Sequence, residues 1–92
     1  MSMDIVFNTG RLYTDKGQRI AARVVRHTDE GDAVIAMVDI DRHIEGTYTT
    51  MCVDKPTSKD ILNAYDFDMR AKEGVAYDSP VWDELRAAAR AL

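Results

Sequence analysis

The chain has few of the residues that disulfide-stapled or membrane-spanning proteins need. Its 92 residues include one cysteine, two prolines and five glycines. Because Cys52 has no partner for an internal disulfide, the sequence favours a reducing, cytoplasmic location. No apolar run approaches the roughly 20 residues that cross a bilayer, and the first residues lack a basic region followed by an apolar stretch. We therefore predict one soluble domain over residues 1–92 with no membrane association.

Catalytic signatures are also lacking: the sequence has no glycine-rich phosphate loop, zinc-ligand spacing or nucleophile elbow. The best cluster of possible metal ligands is an alternating run, Asp39, Asp41, His43 and Glu45. Alternate residues on a strand lie roughly 6.5–7 Å apart, so four of them span too far for one ion. Gly46 further predicts that the strand ends early. We predict no catalytic residues, no metal, no cofactor and no small-molecule substrate, and hence no enzyme.

The strongest pattern that is present is period-two alternation between residues 18 and 42. In two runs, apolar residues recur at every second position, and the polar, glycine-containing segment His27–Asp32 separates these runs. Successive strand residues point to opposite faces, so each run has one apolar and one mixed face. The pattern predicts a long antiparallel hairpin at the centre of a small sheet.

Shorter segments complete the predicted sheet of about four strands, which occupies about residues 4–54. Asp4–Phe7 reads as a short strand or arm, and Arg11–Thr14 as a strand that pairs with the start of the Gln18–Arg26 strand. His43–Gly46 is predicted to turn, and the β-branched segment Thr47–Val53 to form the last strand.

Two helices are predicted after Pro56, over about residues 59–73 and 80–91. Thr57 to Asp60 provides capping residues, and Gly74 is placed to end the first helix. Ser79 precedes the second helix, with Pro80 at its first position. Strands followed by helices predict an α+β domain with both helices on one face of the sheet. The other face is expected to stay open, displaying Arg19, Arg23, Ile35, Met37, Asp39 and Asp41.

Charge is unevenly distributed along the central hairpin. The net charge is −4, which argues against general coating of nucleic acid. Residues 11–26 nevertheless carry five basic residues against one acid, whereas residues 27–46 carry one basic residue against six acids. One interpretation is cross-strand charge pairing on a solvated face. The other makes the basic segment a contact surface for phosphates or for an acidic partner.

The whole chain, from Met1-Ser2-Met3-Asp4-Ile5-Val6-Phe7-Asn8-Thr9-Gly10 to Arg86-Ala87-Ala88-Ala89-Arg90, resembles the phage-encoded anti-CRISPR proteins that inhibit type I-F systems. These inhibitors share no motif, so the resemblance transfers no signature residues. It implies a non-catalytic inhibitor in the cytoplasm of the bacterial host. The implied partner is the crRNA-guided surveillance complex, called Csy or Cascade, with its Cas protein subunits and its guide RNA. The implied effect is to block target DNA binding or guide–target hybridisation.

Two ways of docking on such a complex follow from the charges. The basic candidates, which would contact guide-RNA phosphates, are Arg11, Arg19, Arg23 and Arg26. The acidic candidates, which would meet lysines and arginines that otherwise hold DNA, are Asp29, Glu30, Asp32, Asp39 and Asp41. The basic mode is slightly favoured, because a pure DNA mimic would not need a basic stripe. An alternative function is a small phage DNA-binding regulator that uses a basic β-face, although the overall negative charge weighs against it.

Overall fold

A four-stranded antiparallel sheet with two helices forms the described part of the chain, residues 12–13, 18–72 and 74–92 of a computed structural model. The strands follow one another in the order β1-β2-β3-β4. Their bounds and those of the helices are β1 Leu12–Tyr13, β2 Arg19–His27, β3 Ala33–Asp39, β4 Ile44–Thr50, α1 Ser58–Asp66 and α2 Pro80–Arg90. The predicted α+β class and the central hairpin are confirmed. The predicted strand Asp4–Phe7 and the candidate Arg11 lie outside the described residues.

The central strand β3 is buried along its whole length, on both faces. In its pairing with β2, Asp39 lies opposite Ile20 and Ala33 lies opposite His27, with a bulge at Val25. In its pairing with β4, Ala33 lies opposite Thr50 and Asp39 lies opposite Ile44. A strand that is apolar on both faces requires cover on both, and each face has its own helix.

The two helices lie on opposite faces of the sheet, so the prediction that both pack on one face is wrong. Ile61 and Ala64 of α1 pack in a cluster with Ile35 and Met37 of β3. On the other face, α2 forms a second cluster with Ala21, Ala36 and Val38 through Val81, Trp82, Leu85 and Ala89. The predicted open face therefore does not exist in the described sheet, and the physical reason is the uninterrupted apolar run of β3. Arg23 pairs with Ala36, so its side chain lies on the opposite face from Ile35 and Met37, not on the same face as predicted.

Helix α1 is shorter than predicted. Thr57 caps its start in a reciprocal capping box with Asp60, as the sequence indicates. The helix ends at Asp66, and the chain then turns through Asp68, whose φ is +53°. Gly74, predicted to end this helix, instead lies against the side chain of Thr47.

The outer edge of β4 explains why α1 stops early. The N–H of Thr49 donates to the carbonyl of Met69 at 2.8 Å, and the N–H of Ala71 donates to the carbonyl of Thr47 at 3.2 Å. An unpaired strand edge has backbone groups that must find partners. Residues 69–71 supply these partners in extended form, which a continued helix would prevent.

Helix α2 agrees closely with prediction. Ser79 is its N-cap, Pro80 is its first residue, and Arg90 lies in its last turn. The indole N–H of Trp82 donates to the carbonyl of Ala76 at 2.9 Å, which satisfies the polar atom of this buried side chain.

The turn between β3 and β4 is earlier than predicted. It covers Ile40–His43, with His43 at a φ of +57°, so Glu45 and Gly46 belong to β4. Cys52, which falls within the predicted last strand Thr47–Val53, is an exposed turn residue with a φ of +53°. None of the described helices is both long enough and apolar enough to traverse a lipid bilayer.

Candidate partner-binding surface

Two of the four predicted basic candidates, Arg19 and Arg23, form ion pairs within the molecule. The Arg19 guanidinium lies 2.9 Å from a carboxylate oxygen of Asp41. Arg23 lies 2.5 Å from Glu84 on α2. The hydrogen bonds with Arg19 hold the pKa of Asp41 below its usual value and raise that of Arg19. Arg19 therefore pairs with the turn that follows β3, whereas Arg23 joins β2 to α2.

A second ion pair fixes α2 to β4. Arg86 of α2 donates to both carboxylate oxygens of Glu45, at 2.5 and 2.6 Å, and to Asp83 at 2.8 Å. This two-point geometry is the strongest form of arginine–carboxylate pairing. The hydrogen bond from Arg86 lowers the pKa of Glu45, with Coulomb attraction adding to it.

Two of the predicted acidic candidates, Asp39 and Asp41, have structural partners near the β3–β4 turn. Asp39 is 1% exposed and accepts hydrogen bonds from the Tyr65 hydroxyl at 2.9 Å and the Arg42 N–H at 3.1 Å. Asp41 is held by Arg19. A carboxylate buried in this way is inaccessible to a partner. Asp39 therefore stabilises the fold by accepting these hydrogen bonds.

The remaining acidic candidates lie together at the β2–β3 turn. Asp29 and Glu30 are exposed at its tip. Gly31 closes the turn at a φ of +90°, a conformation that favours glycine. Asp32 accepts the Cys52 N–H at 2.6 Å, which ties this turn to the chain leaving β4. We call this region the hairpin end: the turn 28–32 with the adjoining ends of β2, β3 and β4.

An open depression of about 640 Å³ lies at the hairpin end. Its floor includes the paired residues Val34 and Thr49, on the face that α2 covers farther along. Its other lining residues are Arg26, His27, Thr28, Asp29, Glu30, Asp32, Arg70, Ala71 and Lys72. Three basic and three acidic side chains thus share one concave surface.

Members of both predicted candidate sets therefore line the depression: Arg26 from the basic candidates, and Asp29, Glu30 and Asp32 from the acidic candidates. Sequence reasoning missed Arg70 and Lys72, because both were assigned to a longer first helix. The early end of α1 moves them to the edge of β4. The strand edge that competes with the helix for these residues is not readable from local periodicity.

The residues considered for metal binding do not converge. Asp39 is held by Tyr65, Asp41 by Arg19 and Glu45 by Arg86, and His43 is an exposed turn residue. In the ranges 12–13, 18–72 and 74–92, no group of three or more histidine, cysteine, aspartate or glutamate side chains is arranged to hold an ion.

Comparisons with protein-family models, curated proteins and solved structures give no match to this chain.

Proposed function

We propose that this chain is a non-catalytic inhibitor of a type I-F crRNA-guided surveillance complex and that it docks through the hairpin end. The resemblance of the sequence supplies the partner. The observation that carries the docking surface is the depression lined by Arg26, Arg70 and Lys72 together with Asp29, Glu30 and Asp32.

A surface of mixed charge suits a protein–RNA assembly. Such a complex presents guide-RNA phosphates beside the lysines and arginines that hold them and that await target DNA. The basic side chains of the depression complement the phosphates, and its carboxylates complement the protein cations. The basic contact with guide-RNA phosphates and the acidic contact with protein lysines and arginines are thus two parts of one interface, which touches both Cas subunits and crRNA.

Arg19 and Arg23 do not line the depression, so the proposed basic contact falls on the basic residues that do, Arg26, Arg70 and Lys72. A contact between Arg23 and a phosphate would break the Arg23–Glu84 ion pair, and the loss of that pair would offset part of the binding free energy gained. A DNA-binding regulator that reads DNA with an open β-face has no such face among the described strands, since α1 and α2 cover both sides.

Inhibition needs no chemistry at this surface. A guide–target heteroduplex is about as stable as the DNA duplex that it replaces, so the exchange is tipped by contacts between the protein and the nucleic-acid backbone. A domain that occupies those contacts, in the cytoplasm of the bacterial host, stops nucleation or extension of the heteroduplex.

Binding of the chain to the purified complex tests the proposal. We expect co-purification of the tagged chain with the complex, and we expect Lys72→Glu to weaken binding at least about tenfold by placing a carboxylate opposite phosphates. The matched control is Lys59→Glu, an exposed lysine of α1 outside the depression, which makes the same change in net charge.

The acidic half of the contact has its own variant. A double change, Asp29→Lys with Glu30→Lys, should weaken binding to a similar degree if the carboxylates meet protein cations. Full binding by both this variant and Lys72→Glu would contradict docking through the hairpin end. Retardation of random duplex DNA by the chain alone would instead favour a regulator.

A further inference from the structure

Two hydrogen bonds fasten the chain that leaves β4 to the hairpin end. The N–H of Cys52 donates to Oδ1 of Asp32 at 2.6 Å, across 20 positions of sequence. The ring Nε2 of His27 lies 2.8 Å from the carbonyl of Asp54, across 27 positions. Because a carbonyl only accepts, this ring nitrogen carries the hydrogen. We call these two bonds, together with residues 52–54, the hairpin clamp.

Strand register shows the path of the clamp. Thr50, the last residue of β4, lies opposite Ala33, and Ala33 lies opposite His27. The segment after Thr50 meets Asp32, which directly precedes β3, and then His27, which ends β2. It therefore crosses the end of the sheet from β4 over β3 to β2, which is two strand spacings or about 10 Å.

The turn that the clamp holds is closed by short-range bonds. The N–H of Thr28 donates to the carbonyl of Asp32 at 2.9 Å, and the N–H of Asp32 donates to Oγ1 of Thr28 at 3.1 Å. Asp32 thus uses its N–H, its carbonyl and its carboxylate within the molecule, whereas Asp29 and Glu30 are exposed at the tip. The clamp joins this closed turn to the far side of the sheet.

The backbone of Cys52 is held in an unfavourable conformation at the clamp. Its φ of +53° is left-handed, which costs free energy for residues other than glycine. Such conformations persist where surrounding contacts hold them, and they are concentrated at functional sites. The bond to Asp32 supplies such a contact, and both anchoring side chains, His27 and Asp32, line the depression.

From this geometry we infer that His27 and Asp32 are positioning residues of the docking surface. Through the clamp they hold the turn, with Asp29 and Glu30 at its tip, in the arrangement that the partner's cations bind. A mobile turn loses conformational entropy on binding, and a turn that is already held loses less. The inference rests on the proposed function and assigns Asp32 a role that depends on its hydrogen bond, not on its charge.

Hydrogen exchange of the free chain tests the clamp without the partner. Asp32→Ala removes the acceptor, so the Cys52 amide should exchange at least about tenfold faster in the folded chain. Asp32→Asn keeps an acceptor oxygen and should bring the rate back toward that of the unaltered chain. An exchange rate at Cys52 that Asp32→Ala leaves unchanged would overturn the clamp.

Binding to the purified surveillance complex tests the positioning role. If loss of the clamp leaves about one molecule in ten with the turn in the binding arrangement, Asp32→Ala should raise the Kd about tenfold. Asp32→Asn should recover most of this loss, because it restores the acceptor without the charge. An equal loss in both variants would make Asp32 a direct charge contact and overturn its positioning role.

His27 has a corresponding pair of variants. His27→Gln keeps an N–H donor on a side chain of similar reach, whereas His27→Ala has none. His27→Ala should weaken binding severalfold, and His27→Gln should recover most of that loss. Equal weakening by the two variants would overturn the role of His27 in the clamp.

Tyr65→Phe separates loss of position from loss of stability. Tyr65 bonds to Asp39, at the opposite end of β3 from the hairpin end. Its variant should therefore unfold more easily but bind the complex as the unaltered chain does. Weakened binding by Tyr65→Phe in proportion to its loss of stability would assign the effect of Asp32→Ala to stability alone.

The outcomes distinguish the two proposals. If the unaltered chain binds and Asp32→Ala and His27→Ala bind equally well, the positioning role is refuted while the proposed function stands. If the unaltered chain does not bind the complex at all, the proposed function fails, and the positioning role fails with it even where hydrogen exchange confirms the clamp.

Discussion

The hydroxyl of Tyr65 on α1 donates a 2.9 Å hydrogen bond to Oδ2 of Asp39, whose side chain has no exposed surface at the end of β3. The two residues are 26 positions apart in the sequence. Tyr65 also packs edge-to-face on Tyr48 of β4, with ring centroids 5.3 Å apart. This contact joins the helix to the central strands and compensates the burial of a carboxylate.

Removing the Tyr65 hydroxyl should destabilise the fold. Tyr65→Phe keeps the ring but takes a donor from a buried carboxylate, which costs about 1–3 kcal/mol. We expect a lower midpoint of urea unfolding at neutral pH. Tyr77→Phe, at the 99% exposed tyrosine, should leave the midpoint unchanged. An unchanged midpoint in Tyr65→Phe would show that the hydrogen bond is unimportant for stability.

Stability should also fall in alkali through the same group. Burial, and then the hydrogen bond to Asp39, raise the pKa of Tyr65 to about 12. Since the folded-state pKa lies above the unfolded value, the stabilisation is complete below about pH 10 and is lost as pH rises through about 12. Absorbance of the phenolate, taken as the difference between the unaltered chain and Tyr65→Phe, should show the late transition. Ionisation near pH 10 would contradict this environment.

The Glu45–Arg86 pair should contribute stability that is lost in acid. Because Arg86 lowers the folded-state pKa of Glu45, the contribution is present above the usual glutamate pKa and disappears as pH falls through the lowered value. Both side chains are about one-third exposed, so Glu45→Gln should cost no more than about 1 kcal/mol at neutral pH.

Chemical unfolding at several pH values measures this difference. The gap in free energy of unfolding between the unaltered chain and Glu45→Gln should close toward acid pH. Glu30→Gln, at the exposed hairpin turn, is the control and should show no gap. A gap that is constant with pH would assign the effect to packing instead of charge.

Gly74 should resist substitution because of its close approach to β4. A Cβ at this position would lie 2.5 Å from Oγ1 and 3.2 Å from Cγ2 of Thr47. Gly74→Ala should therefore destabilise the fold by about 1–3 kcal/mol, as other overpacked sites do. In a Thr47→Ala background the clashing atoms are absent, so the same change should cost much less. Equal costs in the two backgrounds, measured by thermal unfolding, would contradict the contact.

Much of the fold could be predicted from local signals. Alternation gave the β2–β3 hairpin, and capping chemistry located the starts of both helices at Thr57 and Ser79. The placement of the helices was predicted wrongly, because the prediction assumed that only one face of the sheet is covered. The informative signal was the unbroken apolar run of β3 from Ala33 to Val38, which is typical of a strand covered on both sides.

The candidate site was less accessible to sequence reasoning, because its charges are decided by distant partners. Arg23 meets Glu84 at a separation of 61 residues, and Arg86 meets Glu45 at a separation of 41. No local pattern pairs such residues. The end of α1 at Asp66 depends in the same way on the hydrogen-bonding needs of β4, and it brings Lys72 to the depression.

The most direct test of the proposed function is capture of a labelled cognate DNA duplex by the crRNA-guided complex after incubation with this chain. The account predicts that capture falls to background at a small fixed ratio of chain to complex, with Lys59→Glu equally effective and Lys72→Glu impaired. Undiminished capture at saturating concentrations of the folded chain would contradict it.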